Sequence, residues 1–246
     1  MKTYSTSQVA AATGIHPNTV RLYEAWGLLP KVPRTDGGYR IFTDFHIRQI
    51  QLARVAFQIE ILQNGLRKKI ITLVKASAQG EFDRALILAE EYMAQLRKER
   101  ANAREAMDIV RELLNGPGTV DTVAMKRRDV SQHLGISMDT LRNWEMNGLL
   151  QVRRKSNGYR VYTGEDVQRL KIIRSLRCAN YSLEAILRML GALSRDPVVN
   201  IEAVLDTPNP DDPIISACDQ LISSLAAAQT NAEIIMAMLN EMKIKF

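Results

Sequence analysis

Two groups of side chains in this chain have the types and spacing to meet a polyanion. The first is Asn18, Thr19, Arg21 and Tyr23, followed by Arg34, Tyr39 and Arg40. The second is Asp139, Thr140, Arg142 and Trp144, followed by Arg154, Lys155, Tyr159 and Arg160. Basic and hydroxyl groups hold phosphate oxygens, while short polar side chains and Arg at the start of a helix can reach base edges. Asn bonds adenine bidentately, Asp suits the cytosine amino group, and Arg suits guanine or phosphate. Two such groups in one chain should therefore favour different base sequences.

Other chemistry lacks the partners it needs. His16, His46 and His133 stand singly at unrelated spacings, and Cys178 and Cys218 lie forty residues apart. No nucleophile–base pair, phosphate loop or metal cluster can be read, so neither an enzyme nor a cofactor is expected. The cysteine usage fits a reducing cytoplasm, and no leader or apolar span is visible. Glu24 and Glu145, set among basic residues, are expected to orient a neighbouring Arg. Tyr23 and Trp144 have a packing alternative of equal weight, and both cysteines are expected to be packed.

Charge follows the two groups. The net charge is +6 over 246 residues. Residues 125–177 hold twelve Lys/Arg against five Asp/Glu, a balance of +7, and residues 1–54 hold seven against three, or +4. Residues 195–246 hold three against eight, or −5. Basic charge concentrated on particular segments is the footprint of polyanion-facing surfaces.

The elements that must position these side chains are duplicated. Gly14 aligns with Gly135, Arg21 with Arg142, Glu24 with Glu145, and Gly27-Leu28-Leu29 with Gly148-Leu149-Leu150. Tyr39-Arg40 aligns with Tyr159-Arg160 after one extra residue in the first copy. Ser5 can cap a short helix, Gly14 supplies a turn, and a second helix starts at Pro17; the second copy repeats this with a Ser137 cap before Met138. Gly27 and Gly148 stop those second helices. Short β-prone runs then flank Thr35-Asp36-Gly37-Gly38 and Ser156-Asn157-Gly158, the latter holding the strong Asn-Gly hairpin signal. A helix-turn-helix followed by a hairpin is a winged helix.

Each copy is followed by a shorter helical segment, near Leu66–Ser77 and Leu183–Leu193, and then by a long one. In the first, Phe82, Leu86, Ala89, Met93, Leu96, Arg100, Ala103, Met107, Val110 and Leu114 alternate at spacings of four and three. Ile214, Cys218, Leu221, Leu225, Ala228, Ala232, Ile235, Leu239, Met242 and Phe246 do the same in the second. Such seams predict coiled-coil helices of roughly 50 Å. Gly116-Pro117-Gly118 is the expected boundary between the halves. The expected domains are 1–80 and 125–194 for the winged helices and 81–115 and 213–246 for the long helices, with linkers at 116–124 and 195–212.

The runs RLYEAWGLLP…PRTDGGYRIF and RNWEMNGLLQ…RKSNGYRVY resemble the DNA-binding signature of the MerR family of bacterial transcription regulators. There, Arg, an aromatic and Glu precede Gly-Leu-Leu, and a Gly-Tyr-Arg wing follows. The likeness covers roughly Thr3–Phe57 and Lys126–Leu190, and YSLEAILRML (Tyr181–Leu190) is similar to the family's helix after the wing. The chain departs from the pattern at Leu22 and Asn143, where the family has a first aromatic, and at Val55–Gly65, which the second copy lacks. It has no Cys-containing loop after the second seam, which argues against metal or drug sensing.

Family members are usually homodimers whose long helices pair antiparallel. With both halves in one polypeptide, the expected fold is mainly α: two winged helix-turn-helix domains, each followed by a long helix, the long helices pairing as an antiparallel coiled coil. The resemblance implies a sequence-specific regulator binding double-stranded DNA, which bends or untwists promoter DNA for RNA polymerase. From the duplication we expect a single-chain pseudo-dimer on two unlike half-sites, in preference to a homodimer through the coil. An architectural or recombination-accessory protein that bends DNA is the alternative. A small-molecule sink lined by Phe82, Tyr92 and Tyr181 is a third reading.

Overall fold

The computed structural model describes residues 2–59, 63–115, 124–154, 158–208 and 219–246. In chain order its elements are α1 (Thr6–Thr13), α2 (Pro17–Ala25), α3 (Asp44–Ala56), α4 (Leu66–Ala78), α5 (Phe82–Asn115), β1 (Met125–Lys126), α6 (Arg127–Leu134) and α7 (Met138–Met146). Then come β2 (Arg153–Arg154), β3 (Arg160–Tyr162), α8 (Gly164–Cys178), α9 (Leu183–Arg195), α10 (Ile201–Asp206) and α11 (Leu221–Lys245). No helix among the described residues is long and apolar enough to cross a membrane. The chain divides into two compact units: Met1–Lys98 with Ser224–Phe246, and Glu99–Ser223.

In the first unit, Ser5 Oγ accepts the Gln8 N–H at 3.3 Å and Gln8 Oε1 accepts the Ser5 N–H at 2.8 Å, a reciprocal cap that starts α1. Gly14 ends α1 in the left-handed region (φ 64°), which lets the chain turn into α2. Val9, Ala10, Val20, Leu29, Phe42 and Ile50 form the core that holds α1, α2 and α3 together. Gln49 is wholly buried, and all its polar capacity is used. Its amide donates to the carbonyls of Leu28 (3.0 Å) and Val74 (2.9 Å), and its oxygen accepts from Ser77 Oγ (2.8 Å). One side chain thus ties the exit of α2 to α4 through α3. The Phe45 ring lies 4.9 Å from that of Phe246 and 5.8 Å from that of Phe82, and Lys243 pairs with Asp83. The first turn of α5 therefore meets the last turn of α11, so these helices run antiparallel here.

The second unit repeats the plan with substitutions. Gly135 (φ 61°) takes the turn between α6 and α7, and Val130, Ser131, Leu141, Leu150, Tyr162 and Leu170 are buried at the positions matching the first core. β1 and β2 flank β3 as antiparallel neighbours, with Met125 opposite Tyr162 and Arg154 opposite Arg160. In the first unit the same places hold single bridges, Tyr4–Phe42 and Arg34–Arg40. Residues 195–212, expected as a linker, contain α10. Arg188 of α9 fixes it by donating to the Val204 carbonyl at 3.0 Å, and Asp206 accepts the Ile222 N–H at 2.9 Å, capping α11.

The seam positions Phe82, Ala89, Met93, Leu96, Ala103, Met107 and Val110 are buried, whereas Leu86 and Arg100 are half-buried and Leu114 is exposed. The buried face of α5 is wider than the sequence seam. Ala85, Tyr92, Glu99 and Ala106, a third stripe at heptad spacing, are buried too. In α11, Leu221, Leu225, Ala228, Ala232, Ile235, Leu239 and Met242 are buried. Ile214 and Cys218, with the expected boundary at Gly116-Pro117-Gly118, fall outside the described residues. Cys178 ends α8 exposed, against the expectation of packing, because it lies on the solvent side of the last turn.

Candidate nucleic-acid interface

In the first unit, α2 is the second helix of the helix-turn-helix, and its first turn carries the candidate base-reading groups. His16 caps it, its Nδ1 accepting the Asn18 N–H at 3.2 Å. This role was not read from the sequence, where His is an uncommon cap. Asn18 and Arg21 are exposed, Thr19 is half-buried, and Arg21 Nη1 donates to Asn18 Oδ1 at 2.8 Å. The two groups thus present one joined polar edge.

The wing begins at Arg34, which bridges to Arg40 in an antiparallel pair closed by the Thr35 N–H on the Tyr39 carbonyl (2.8 Å). Tyr39 projects from it, 77% exposed. Arg40 turns back to α2, where its Nε meets Glu24 Oε2 at 2.5 Å, and Arg34 lies 3.8 Å from the same carboxylate. Glu24 therefore holds two wing arginines against the helix that carries Asn18 and Arg21. Tyr23 is half-buried, packs edge-on against Phe57 (6.5 Å) and joins the core. Burial pushes its phenol pKa up.

In the second unit, α7 is capped by Ser137 Oγ, which accepts the Thr140 N–H at 2.9 Å. Asp139 and Arg142 are exposed and Thr140 is half-buried. Tyr159 projects from the wing at 73% exposure, and Arg154 is exposed on β2. Lys155, with Ser156 and Asn157 of the hairpin turn, falls outside the described residues. Trp144 is 5% exposed and belongs to the core, so packing is the role its position serves.

Glu145 repeats the part of Glu24 with more partners. It accepts from Arg160 Nε at 2.7 Å, from Arg127 Nη2 at 2.9 Å and from the Tyr162 hydroxyl. Its side chain is 7% exposed, against 21% for Glu24. Burial, and then the bond to Glu145, pushes the Tyr162 pKa up to about 12. Arg127, the first residue of α6, was missed in the sequence reading because its counterpart in the first copy is Thr6.

Among the described residues, those expected to meet a polyanion lie, unit by unit, on one helix and its wing, with Tyr23 and Trp144 turned into the cores. Phe82, Tyr92 and Tyr181, considered as lining a sink, are buried in packing.

Comparison with known proteins agrees with this duplicated plan. A family model described as "MerR HTH family regulatory protein" matches residues 125–193, and one described as "MerR family regulatory protein" matches residues 5–42. The HTH-type transcriptional regulator MerD of Acinetobacter calcoaceticus is 31% identical over 107 residues, covering 44% of this chain and 82% of that protein. The HTH-type transcriptional regulator YfmP of Bacillus subtilis is 31% identical over 109 residues, covering 44% and 70%. A crystal structure of HiNmlR, a MerR family regulator lacking the sensor domain, bound to promoter DNA, aligns with 56% of this chain and 99% of its own. It does so at 23% identity and a TM-score of 0.32, too loose a likeness to carry weight. With one family match on each copy and two relatives covered over most of their length, the chain belongs to the MerR family and carries its helix-turn-helix domain in tandem.

Proposed function

We propose that this protein is a transcription regulator that binds duplex DNA with two unequal winged heads, acting as a single-chain pseudo-dimer. The observation that carries the reading is the repeated carboxylate latch. Glu24 with Arg40 (2.5 Å) and Glu145 with Arg160 (2.7 Å) each fix a basic wing to the helix whose first turn exposes Asn18 and Arg21, or Asp139 and Arg142. A wing and a recognition helix held in fixed relation can grip phosphates and read bases together. Arg34, Arg154 and Lys155 supply sequence-independent affinity that weakens with salt, and the wing hydroxyls of Tyr39 and Tyr159 add neutral phosphate contacts.

The pseudo-dimer is supported by how the long helices contribute. α5 begins in the first unit and ends in the second, and α11, which follows the second head in sequence, belongs from Ser224 onward to the first, as a helix exchanged between the protomers of a dimer would. With Asn18 in one head and Asp139 in the other, the half-sites differ, centred one or two helical turns apart. Family resemblance adds that the site is bent or untwisted for RNA polymerase, at a deformation cost that itself depends on sequence.

The test is nuclease footprinting on a selected site, followed by scrambling each half-site. Loss of protection from different positions in the two halves is expected. Binding to a symmetric palindrome built from either half-site as tight as to the selected site would overturn the unequal-head reading. Light scattering should give a mass near 27.7 kDa, and twice that mass would sink the single-chain pseudo-dimer. Transcription in vitro from the bound promoter separates a regulator from a purely architectural protein.

A further inference from the structure

The first unit has an unassigned cleft of about 660 Å³ on the face of α2 away from its first turn. Tyr23 and Trp26 come from the end of α2 and its cap, Phe57 from the end of α3, and Ile71, Arg67 and Lys75 from α4. The volume is in the range of small-molecule sites, and the walls combine apolar and aromatic faces with a few charges, as such sites do. Both charged residues are cations, and among the described residues no carboxylate lines the cleft. Trp26 is 56% exposed, a large apolar surface left open in a protein that buries its other tryptophan.

The second unit lacks this cleft's chemistry. Aligning the copies through their wings, and α4 with α9 from their first leucines, puts Asn147 at Trp26, Arg177 at Phe57 and Glu184 at Arg67. Arg188 then falls at Ile71 and Ala192 at Lys75. Two of the three aromatic walls become polar, with Trp144 keeping an aromatic at the place of Tyr23, and one cation becomes an anion. Arg188 at the wall position reaches the Val204 carbonyl, so in the second unit α10 of the same chain lies on this face. In the first unit α4 passes to α5 after three residues, leaving no segment between them to do the same.

We infer that the Tyr23–Trp26–Phe57 cleft is a binding site for a small aromatic anion, a flat apolar body carrying a carboxylate or sulfonate. The rings take the apolar body and the exposed Lys75 takes the acid, while among the described residues lining the cleft no carboxylate is present to pair with a cation of the same size. Because Tyr23 lies on the helix that carries Asn18 and Arg21, an occupant is linked to the DNA grip of this head, and the linkage is reciprocal. That last step rests on the proposed DNA reading; the binding itself does not.

The probe is anilinonaphthalene sulfonate titrated into the full chain, with its uncharged parent phenylnaphthylamine as comparison. One equivalent of the sulfonate should bind, quenching Trp26 but not Trp144. Phenylnaphthylamine and the Lys75→Gln variant should each show affinity lower by about fivefold, and Trp26→Ala a loss of about tenfold. Equal affinity for the charged and uncharged dyes, or binding indifferent to Trp26→Ala, overturns the site. Lys75→Gln keeps a good helix former at an exposed position, so its fold is retained. If the sulfonate binds with these responses but leaves DNA affinity unchanged, the site stands and its link to the recognition helix fails.

Discussion

The two heads place the same six positions in their cores but fill them differently. Val9, Ala10, Val20, Leu29, Phe42 and Ile50 in one become Val130, Ser131, Leu141, Leu150, Tyr162 and Leu170 in the other. Val and Leu are kept at Val9/Val130 and Leu29/Leu150, two exchanges keep the apolar character, and two introduce a hydroxyl. Each new hydroxyl has a partner: Ser131 Oγ donates to the Ile136 carbonyl at 2.6 Å, and the Tyr162 hydroxyl donates to Glu145. A buried polar atom costs stability unless it is bonded, so Phe-to-Tyr is tolerated here because a carboxylate was already in place. The same exchange ties the carboxylate to the core. Glu24 is a latch between helix and wing, whereas Glu145 also anchors α6 through Arg127.

That difference is open to measurement. Glu145→Ala leaves Arg127, Arg160 and the Tyr162 hydroxyl without their acceptor and should destabilise its head by about 3 kcal/mol. Glu24→Ala, at a more exposed pair, should cost about 1 kcal/mol. Hydrogen exchange followed separately in α7 and α2 checks both, and equal effects would break the comparison. Next in size, Arg21→Ala and Arg142→Ala should each weaken DNA binding by about 2 kcal/mol, each at its own half-site. Loss at both half-sites from either variant would argue against separate readers. Smaller still, Arg34→Ala and Arg154→Ala should each lower the slope of log affinity against log salt by about one.

The smallest expected effect is in pH. Burial lowers the His46 pKa from 6.5, and its Nδ1 accepts the Thr43 N–H at 3.0 Å to cap α3. The folded head thus favours the neutral ring. Its contribution is intact above pH 6.5 and is lost as the pH falls through the lowered value. The second head has Asp166 in that cap, accepting the Thr163 N–H at 2.9 Å. His46→Gln, which keeps an acceptor without a titrating ring, should flatten the acid limb of the first head's stability in denaturant titrations from pH 7 to 5. An unchanged acid limb would mean that other groups set it.

Much of the fold was legible because its signals are local. Ser5, Pro17, Ser137 and the paired glycines mark helix ends by caps and turns that depend on a few neighbouring residues. The coil seams were legible as two heptad positions, but the third stripe through Ala85, Tyr92, Glu99 and Ala106 was not, since the charged Glu99 interrupts its apolar pattern. α10 was missed for a related reason: six residues carry too little periodicity to separate a helix from a linker. At the candidate interface, residue types predicted the exposed edges Asn18–Arg21 and Asp139–Arg142. The three-partner bonding of Glu145 depends on Arg127 and Tyr162 meeting through the fold, and no sequence spacing reports that.

Gln49 carries a consequence for how the first head opens. It joins the Leu28 carbonyl to Val74 and Ser77 of α4, so lifting α4 away breaks two buried hydrogen bonds to one side chain at once. In the second head the matching Arg169 holds the Leu149 carbonyl at 2.7 Å, while Ser194, the counterpart of Ser77, donates within its own helix to Leu190. The last turn of α2 and the whole of α4 should therefore exchange their amide protons as a single cooperative unit, whereas α7 and α9 loosen in separate steps. A chain that repeats one design thus has two different orders of coming apart.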